Sequence, residues 1–258
     1  MALRGVLLDV DGVLVVSWKP IDGAVDALRR IRATGVPIVF LTNTTSRTRD
    51  EIEHELEAAG LSAAGDELVT AGSATASFLT SHFSGKRCLM LNEGPLDDFS
   101  DLVMVDPGDP ADVVVIGSAG PSFSWELMNH AARAVLAGAE LVAMHGSTTW
   151  QTDDGICIDG GAYVAALEQA TGCETTTIGK PAAPMFTEAL EHLGVPAADA
   201  VMVGDDLRSD VLAAQAVGIR GVLVRTGKFR PEVLEAAGDQ PDAVIDSIAD
   251  FPEWLDAR

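Results

Sequence analysis

Two aspartates lie two positions apart near the start of the chain, where an apolar run would otherwise continue. The run GVLLDV, residues 5–10, leads into Asp9-Val10-Asp11-Gly12. Two carboxylates about 4 Å apart repel each other by about 4 kcal/mol at an effective dielectric of 20, so a convergent pair needs a cation nearby. Mg²⁺ fits this role, because it prefers oxygen ligands and binds one or two carboxylates together with a substrate phosphate. Taken alone, however, the pair is also typical of a turn.

Other apolar segments of the chain also end in polar residues. These polar residues are Thr42 at the end of PIVFLT (37–42) with Asn43 after it, Lys180 in TTTIGKP, and Asp205 and Asp206 after AVMVG (200–204), with Asp210 in the next turn. Functional groups of a parallel α/β sheet gather beyond the carboxyl ends of its strands, so we expect these side chains to converge. Each of them alone is typical of a turn, a helix cap or a solvated lysine, but their joint occurrence favours a site.

The residue types of this set suit phosphoryl chemistry. We expect Asp9, Asp11 and Asp205 to share one Mg²⁺ ion.

Lys180 adds a second positive centre to this set, and Thr42 and Asn43 each add a neutral donor. Positive charge and fixed donors are what a transferring phosphoryl group requires, since its oxygens carry the negative charge of the transition state.

The elements that would position these residues alternate along the chain. Strands are predicted at 5–10, 37–42, 87–91, 112–116, 140–144, 200–204 and 220–224. Amphipathic segments lie between them, and several end at glycine, as DGAVDALRRIRATG does. Such alternation predicts an α/β fold with a Rossmann-like parallel sheet and helices on both of its faces.

The middle of the chain has a different pattern. Residues 92–110 are rich in Asp, Gly and Pro and are predicted to be a surface connection, and 145–161 form a polar, glycine-rich loop before a helix. We therefore expect an inserted α/β domain at 83–177, with residues 1–82 and 178–258 forming the core domain.

Composition excludes several classes of partner. The 258 residues include 39 acids and 17 bases, which gives a net charge of −22 and argues against nucleic acid or anionic membrane as a partner. Apolar runs fall short of the roughly 18 residues that suggest a membrane span. The three cysteines show no C-x-x-C spacing, so neither a zinc site nor a disulfide framework is indicated. We expect a soluble, cytoplasmic protein.

Four ordered motifs carry a family resemblance. The sequence resembles the haloacid dehalogenase-like (HAD) hydrolase superfamily in LLDVDGVLV, in VFLTNTTSRT, in the lysine of IGKPAAPMF and in VMVGDDLRSDVLAAQAVGI. Within it, the sequence is similar to the NagD-like subfamily IIA phosphatases, and among these to the phospholysine/phosphohistidine/pyrophosphate-phosphatase-like group. The resemblance implies a HAD-like core with an α/β cap inserted between the second and third motifs.

The resemblance also implies a catalytic and metal-binding set. Asp9 would be the nucleophile that forms an aspartyl-phosphate, and it would also bind Mg²⁺. Asp11 would protonate the leaving oxygen and then activate water, while its backbone carbonyl reaches the metal. Asp205 would be the third protein ligand.

Further residues would support this set, again as the resemblance implies. Thr42, Asn43 and Lys180 would hold the phosphoryl group. Asp210, with Asp206 as the weaker candidate, would orient the lysine or a metal-bound water.

The implied function is Mg²⁺-dependent hydrolysis of small phosphorylated metabolites: phosphomonoesters, pyrophosphate or phosphoamides. A phosphotransferase or mutase with the same aspartyl-phosphate, and a non-enzymatic phospho-receiver module, are the alternatives. Dimers are common among relatives, so a homodimer is a further prediction.

MHGSTTW (144–150) replaces the Asn-Pro-Asp of many relatives, so the substrate does not follow from the resemblance. His145 is either a substrate contact or a satisfied loop residue, and Trp150 either stacks on a ligand or anchors its loop.

Overall fold

The computed structural model describes residues 3–63, 66–152 and 155–257, without the side chains of 150–152. The chain divides into two compact units. The first unit comprises Met1–Thr42, Arg49–Val69 and Lys180–Arg258, and the second comprises Asn43–Thr48 and Thr70–Gly179.

The predicted domain limits, 1–82 with 178–258 and 83–177, stay a prediction. The two compact units differ from them chiefly over residues 70–82, which belong to the second unit.

Strands occur throughout the described chain. They are β1 Gly5–Asp9, β2 Val15–Val16, β3 Lys19–Pro20, β4 Ile38–Thr42, β5 Leu68–Thr70, β6 Arg87–Leu91, β7 Val103–Met104, β8 Val113–Ile116, β9 Glu140–Ala143, β10 Thr149–Thr152, β11 Gly155–Ile158, β12 Thr175–Thr177, β13 Ala200–Gly204, β14 Arg220–Val224 and β15 Ala243–Ile245. All seven predicted strands are present, with bounds that differ by at most one residue at either end.

Helices separate most of these strands. They are α1 Ala24–Ala33, α2 Arg49–Ala58, α3 Ala71–His82, α4 Trp125–Leu136, α5 Gly160–Thr171, α6 Ala183–Leu193, α7 Ala213–Ala216, α8 Pro231–Ala236 and α9 Phe251–Asp256. Among the described residues, none of the helices is long and apolar enough to cross a bilayer.

A six-stranded sheet forms the first unit, in the order β15-β14-β13-β1-β4-β5. β1 pairs in parallel with both β4 and β13, and β14 pairs in parallel with β13 and β15. The central strands are buried along their whole length, which explains why they read as continuous apolar runs. Because β1, β4 and β13 are parallel neighbours, their carboxyl ends meet at one edge of the sheet.

Helix α1 shows how the sequence builds this layer. Ala24, Ala27, Leu28 and Ile31 recur at helical spacing and are all buried. They join a core that includes Val6, Leu8 and Phe40 from the sheet. This packing fixes β1, and hence the position of the aspartates that follow it.

The second unit contains a five-stranded parallel sheet, in the order β12-β9-β8-β6-β7. Its core packs α4 and α5 against β8 and β9. The predicted connection at 92–110 was wrong in part, because it contains the edge strand β7. The predicted loop at 145–161 was also wrong in part, because β10 and β11 pair there as an antiparallel hairpin. A hairpin with polar residues on one strand has no apolar period by which the sequence could show it.

The segment after β13 does not begin as an α-helix, although SDVLAAQAVG (209–218) has helical spacing and ends at glycine. Residues Leu207–Leu212 form a π-helical turn before α7. The carbonyl of Asp206 accepts hydrogen bonds from the N–H groups of both Asp210 and Val211, at 3.1 and 3.3 Å. This wide turn directs Asp210 back to the strand end, where a side chain on Gly204 would collide with it. Such turns are frequent at functional sites.

Candidate active site

Three buried carboxylates converge at the carboxyl edge of the first unit's sheet. Asp9 ends β1, Asp205 follows β13, and Asp210 lies in the π-helical turn. One carboxylate oxygen of each lies within 4.8 Å of the others, and each side chain is at most 4% exposed. The neighbouring parallel strands bring the first two together, and the turn adds the third.

A buried ammonium group faces this cluster. Lys180 Nζ lies 2.5 Å from Asp9 Oδ1 and 2.7 Å from Asp210 Oδ1. Burial by itself would lower the pKa of Lys180, but Asp210 and Asp9 outweigh it, so the pKa lies above its ordinary value. The lysine is therefore charged, as the sequence-based site requires.

One ammonium does not balance three carboxylates. Burial raises the pKa of Asp9 well above its ordinary value, with Asp210 and Asp205 adding to the rise and Lys180 opposing it. Burial also raises the pKa of Asp205 to about 6. Asp205 Oδ1 is buried and has no hydrogen-bond partner among the described residues.

These observations fit a divalent cation at the cluster. A positive ion would favour the ionised form of all three carboxylates and would give Asp205 Oδ1 a partner. A cluster of carboxylate oxygens is the donor set that Mg²⁺ prefers.

Asp11 lies beside Thr42, and its carboxylate is not one of the three that converge. Thr42 Oγ1 donates to Asp11 Oδ2 at 3.4 Å, a long hydrogen bond. Asp11 is half-buried, whereas Thr42 is buried. The chain leaves β1 after Asp9 and turns at Gly12, which has a φ of +89°. This turn gives Asp11 a more open environment than Asp9, which suits a group that exchanges protons.

A loop that the sequence reasoning missed completes the site. Lys228 N–H donates to Asp205 Oδ2 at 2.6 Å, and Thr226 Oγ1 donates to the carbonyl of Gly12 at 2.5 Å. Cβ atoms added to Gly12 or Gly227 would overlap Asp205 Oδ2. The loop and the Gly12 turn therefore clamp the Asp205 carboxylate. A polar, glycine-containing segment directly after strand β14 was the signal that could have revealed it.

Asp206 has a local role that differs from that of the cluster. Its Oδ1 accepts from the N–H groups of Arg208 and Ser209, at 2.8 and 3.0 Å. Burial opposes ionisation, but these backbone donors prevail and hold the pKa of Asp206 below its ordinary value. Asp206 N–H in turn donates to Asp210 Oδ2 at 3.1 Å. Asp206 thus shapes the turn that presents Asp210.

The remaining candidate residues lie in the second unit. Asn43 is half-buried there, and its role toward a phosphoryl group stays a prediction. His145 is buried, with Nδ1 accepting from Ser147 N–H at 3.3 Å and Nε2 3.9 Å from Asp159 Oδ2. These contacts favour the interpretation of His145 as a satisfied loop residue. The side chain of Trp150 lies outside the described residues.

Comparison with family models now decides the class of the protein. A model described as haloacid dehalogenase-like hydrolase matches residues 6–103, and a HAD-hydrolase-like model matches residues 177–251. The human protein "Haloacid dehalogenase-like hydrolase domain-containing protein 2" is 36% identical over 255 residues, which cover 99% of this chain and 95% of that protein. This chain belongs to the HAD-like hydrolases.

Named phosphatases are among the relatives of this HAD-like hydrolase. The human "Phospholysine phosphohistidine inorganic pyrophosphate phosphatase" is 34% identical over 259 residues, which cover 98% of this chain and 94% of that protein. The p-nitrophenyl phosphatase from Archaeoglobus fulgidus superposes with a TM-score of 0.91 at 31% identity, covering 98% of this chain and all of that one.

NagD from E. coli K-12 superposes with a TM-score of 0.88 at 28% identity, covering 97% of this chain and 98% of that one. The predicted membership of the NagD-like subfamily and the predicted fold class are thereby confirmed. The protein is an enzyme, a phosphatase of the HAD-like family.

Proposed function

We propose that this phosphatase hydrolyses small phosphorylated metabolites with Mg²⁺, through an aspartyl-phosphate on Asp9. The observation that carries the proposal is the buried cluster of Asp9, Asp205 and Asp210 around the ammonium of Lys180. Asp9 is held rigidly at the end of a buried strand, so its carboxylate is positioned for in-line attack on phosphorus.

The first step forms one bond and breaks another. A carboxylate oxygen of Asp9 attacks the phosphorus atom, and the bond from phosphorus to the leaving oxygen breaks. Asp11 donates a proton to that oxygen, so that the product leaves as an alcohol and not as an alkoxide. Lys180 and the hydroxyl of Thr42 hold the oxygens of the transferring group.

The second step releases inorganic phosphate. Asp11, now ionised, takes a proton from a water molecule, and the resulting hydroxide attacks the phosphorus of the aspartyl-phosphate. The bond between phosphorus and Asp9 breaks and restores the carboxylate. Splitting the reaction in two lets one residue act first as an acid and then as a base.

Mg²⁺ would be held by Asp9, Asp205 and the backbone carbonyl of Asp11, and it would neutralise charge on the phosphoryl oxygens. Asp210 is proposed to orient Lys180, because its carboxylate lies 2.7 Å from the ammonium group that also contacts Asp9. Asp206 supports this arrangement through the turn.

The test is release of inorganic phosphate from a panel of phosphorylated metabolites, with pyrophosphate and p-nitrophenyl phosphate included, with and without Mg²⁺. We expect Asp9→Asn to abolish turnover and to leave the fold intact by circular dichroism. Asp26→Asn, which alters an exposed ion pair with Arg29, is the matched control and keeps the wild-type rate. Wild-type turnover by Asp9→Asn would refute the covalent mechanism.

The same assay separates hydrolysis from phosphoryl transfer. A hydrolase releases one phosphate for each substrate consumed, whereas a phosphotransferase or mutase returns the group to an organic acceptor. The cytoplasmic location and the homodimer are proposed alongside, and cell fractionation and size-exclusion chromatography with light scattering test them.

A further inference from the structure

A cationic pocket lies beside Asp205 in the first unit, although the chain as a whole carries a net charge of −22. Its volume is about 410 Å³, within the roughly 300–1,000 Å³ of small-molecule sites. Three basic side chains line it, and we call them the cationic rim: Arg208, Lys228 and Arg230. The lining is completed by Asp205, Asp206, Leu207, Phe229 and Val233.

The two acids of the pocket are already engaged by backbone donors. Asp206 Oδ1 accepts from two N–H groups of the π-helical turn, and Asp205 Oδ2 accepts from Lys228 N–H. Neither carboxylate forms an ion pair with the guanidinium of Arg208 or Arg230 in the part of the chain that the structure describes. All three rim residues are exposed, so their charged groups can bind a ligand.

The other basic residue of this segment behaves differently. Arg225 lies three positions before Lys228, and its guanidinium donates to Asp246 Oδ1 at 2.5 Å. It does not line the pocket. Charge on Arg225 is thus neutralised locally, whereas the rim presents its charge to the pocket.

We propose that the cationic rim binds a second anionic group of the substrate, a phosphate or a carboxylate, while the first phosphoryl group reacts at Asp9. This inference rests on the proposed function and narrows its substrate class to molecules with two anionic groups. The two places adjoin each other, because Asp205 belongs both to the carboxylate cluster and to the pocket lining. The half-buried apolar side chains of Phe229 and Val233 can contact the carbon atoms that link the two anions.

The rim makes a quantitative prediction about selectivity. An exposed charge pair contributes enough to change binding about two- to fivefold, so removing one arginine should raise KM by that factor for a substrate with two anionic groups. Removing both arginines should raise it about tenfold. Substrates with one phosphate and a neutral remainder should be nearly unaffected. Salt should weaken the binding of substrates with two anionic groups more than that of substrates with one.

The experiment compares carbon-matched substrates. The pairs are 3-phosphoglycerate against glycerol 3-phosphate, for a carboxylate, and glucose 1,6-bisphosphate against glucose 6-phosphate, for a phosphate. The variants are Arg208→Gln, Arg230→Gln and their combination, with Arg225→Gln as the control of equal charge change. Lys228 stays unaltered, so that the two arginines are tested by themselves. We expect the wild type to prefer the doubly anionic member of at least one pair, and the rim variants to lose that preference.

Equal KM values for both members of each pair, or a preference that survives in the double variant, would overturn the inference and leave the proposed phosphatase function standing. A wild type without turnover on any substrate would refute the proposed function instead. A binding measurement then tests the rim by itself: calorimetric titration of Asp9→Asn with propane-1,3-bisphosphonate and with propylphosphonate. The inference is supported if the bisphosphonate binds more tightly than propylphosphonate and if the double variant removes this difference. Equal binding of both probes refutes the inference.

Discussion

Replacing Gly12 by alanine tests whether the clamp on Asp205 is needed for catalysis. Gly12 has a φ of +89°, and an added Cβ would overlap Asp205 Oδ2 and approach Gly227 Cα at 3.1 Å. Backbone atoms cannot move away cheaply, so the carboxylate of Asp205 must rotate out of its place. It would then lose the hydrogen bond from Lys228 N–H.

The magnitude follows from two contributions. A non-glycine residue in the left-handed region costs about 1–2 kcal/mol. Loss of a hydrogen bond to a charged group costs about 1.5–3 kcal/mol. Together these lower the free energy of unfolding by about 2.5–5 kcal/mol. Displacing a catalytic group by about 1 Å can reduce the rate by about 100-fold, which is the loss of kcat that we expect.

Gly35→Ala is the matched control, because Gly35 has a φ of +77° and nothing lies within 4 Å of its Cβ position. Gly35→Ala should lower the free energy of unfolding by the backbone contribution alone, about 1–2 kcal/mol, and should keep the wild-type kcat. Urea unfolding and hydrolysis of p-nitrophenyl phosphate with Mg²⁺ measure both quantities. If Gly12→Ala hydrolyses at the rate of Gly35→Ala, then the position of Asp205 does not matter and the argument fails.

Three further predictions concern charge. Lys180→Met leaves Asp9 and Asp210 buried without their counter-ion, so urea denaturation should show a loss of about 3–5 kcal/mol, and a loss under 1 kcal/mol would contradict the pairing. Burial lowers the pKa of His145 below its ordinary 6.5. As pH falls, the imidazole is therefore protonated in the unfolded chain before it is protonated in the folded one. Stability should therefore fall as pH drops below about 6.5, and His145→Asn should lose this component of the pH dependence in denaturation curves. Saturation with Mg²⁺ at 100 times its Kd should stabilise the wild type by about 2.7 kcal/mol, and an equal gain in Asp205→Asn by thermal shift would exclude Asp205 as a ligand.

The positions of these strands could be predicted from the sequence, because they depend on local residue patterns. Arg87–Leu91, Ala200–Gly204 and Arg220–Val224 match the predicted bounds, since largely buried parallel strands are short apolar runs between breakers. The hairpin of β10 and β11 and the edge strand β7 were missed, because short or polar strands lack that signal. The π-helical turn was missed for a related reason: the apolar spacing of its sequence fits an α-helix, and its width accompanies the contacts that Asp210 makes with Asp206 N–H and with Lys180.

The sequence by itself determined the family, the alternation of strands and helices, and the polar residues that end the strands, because these are written in residue types and their order. Only the tertiary structure decided which of those residues meet. It brought Lys180 to Asp9, 171 positions away, and it put the carboxylate of Asp210 in the cluster and that of Asp11 beside Thr42. The physical reason is that proximity across a parallel sheet depends on strand order and on the turns after each strand, and neither is encoded in local spacing.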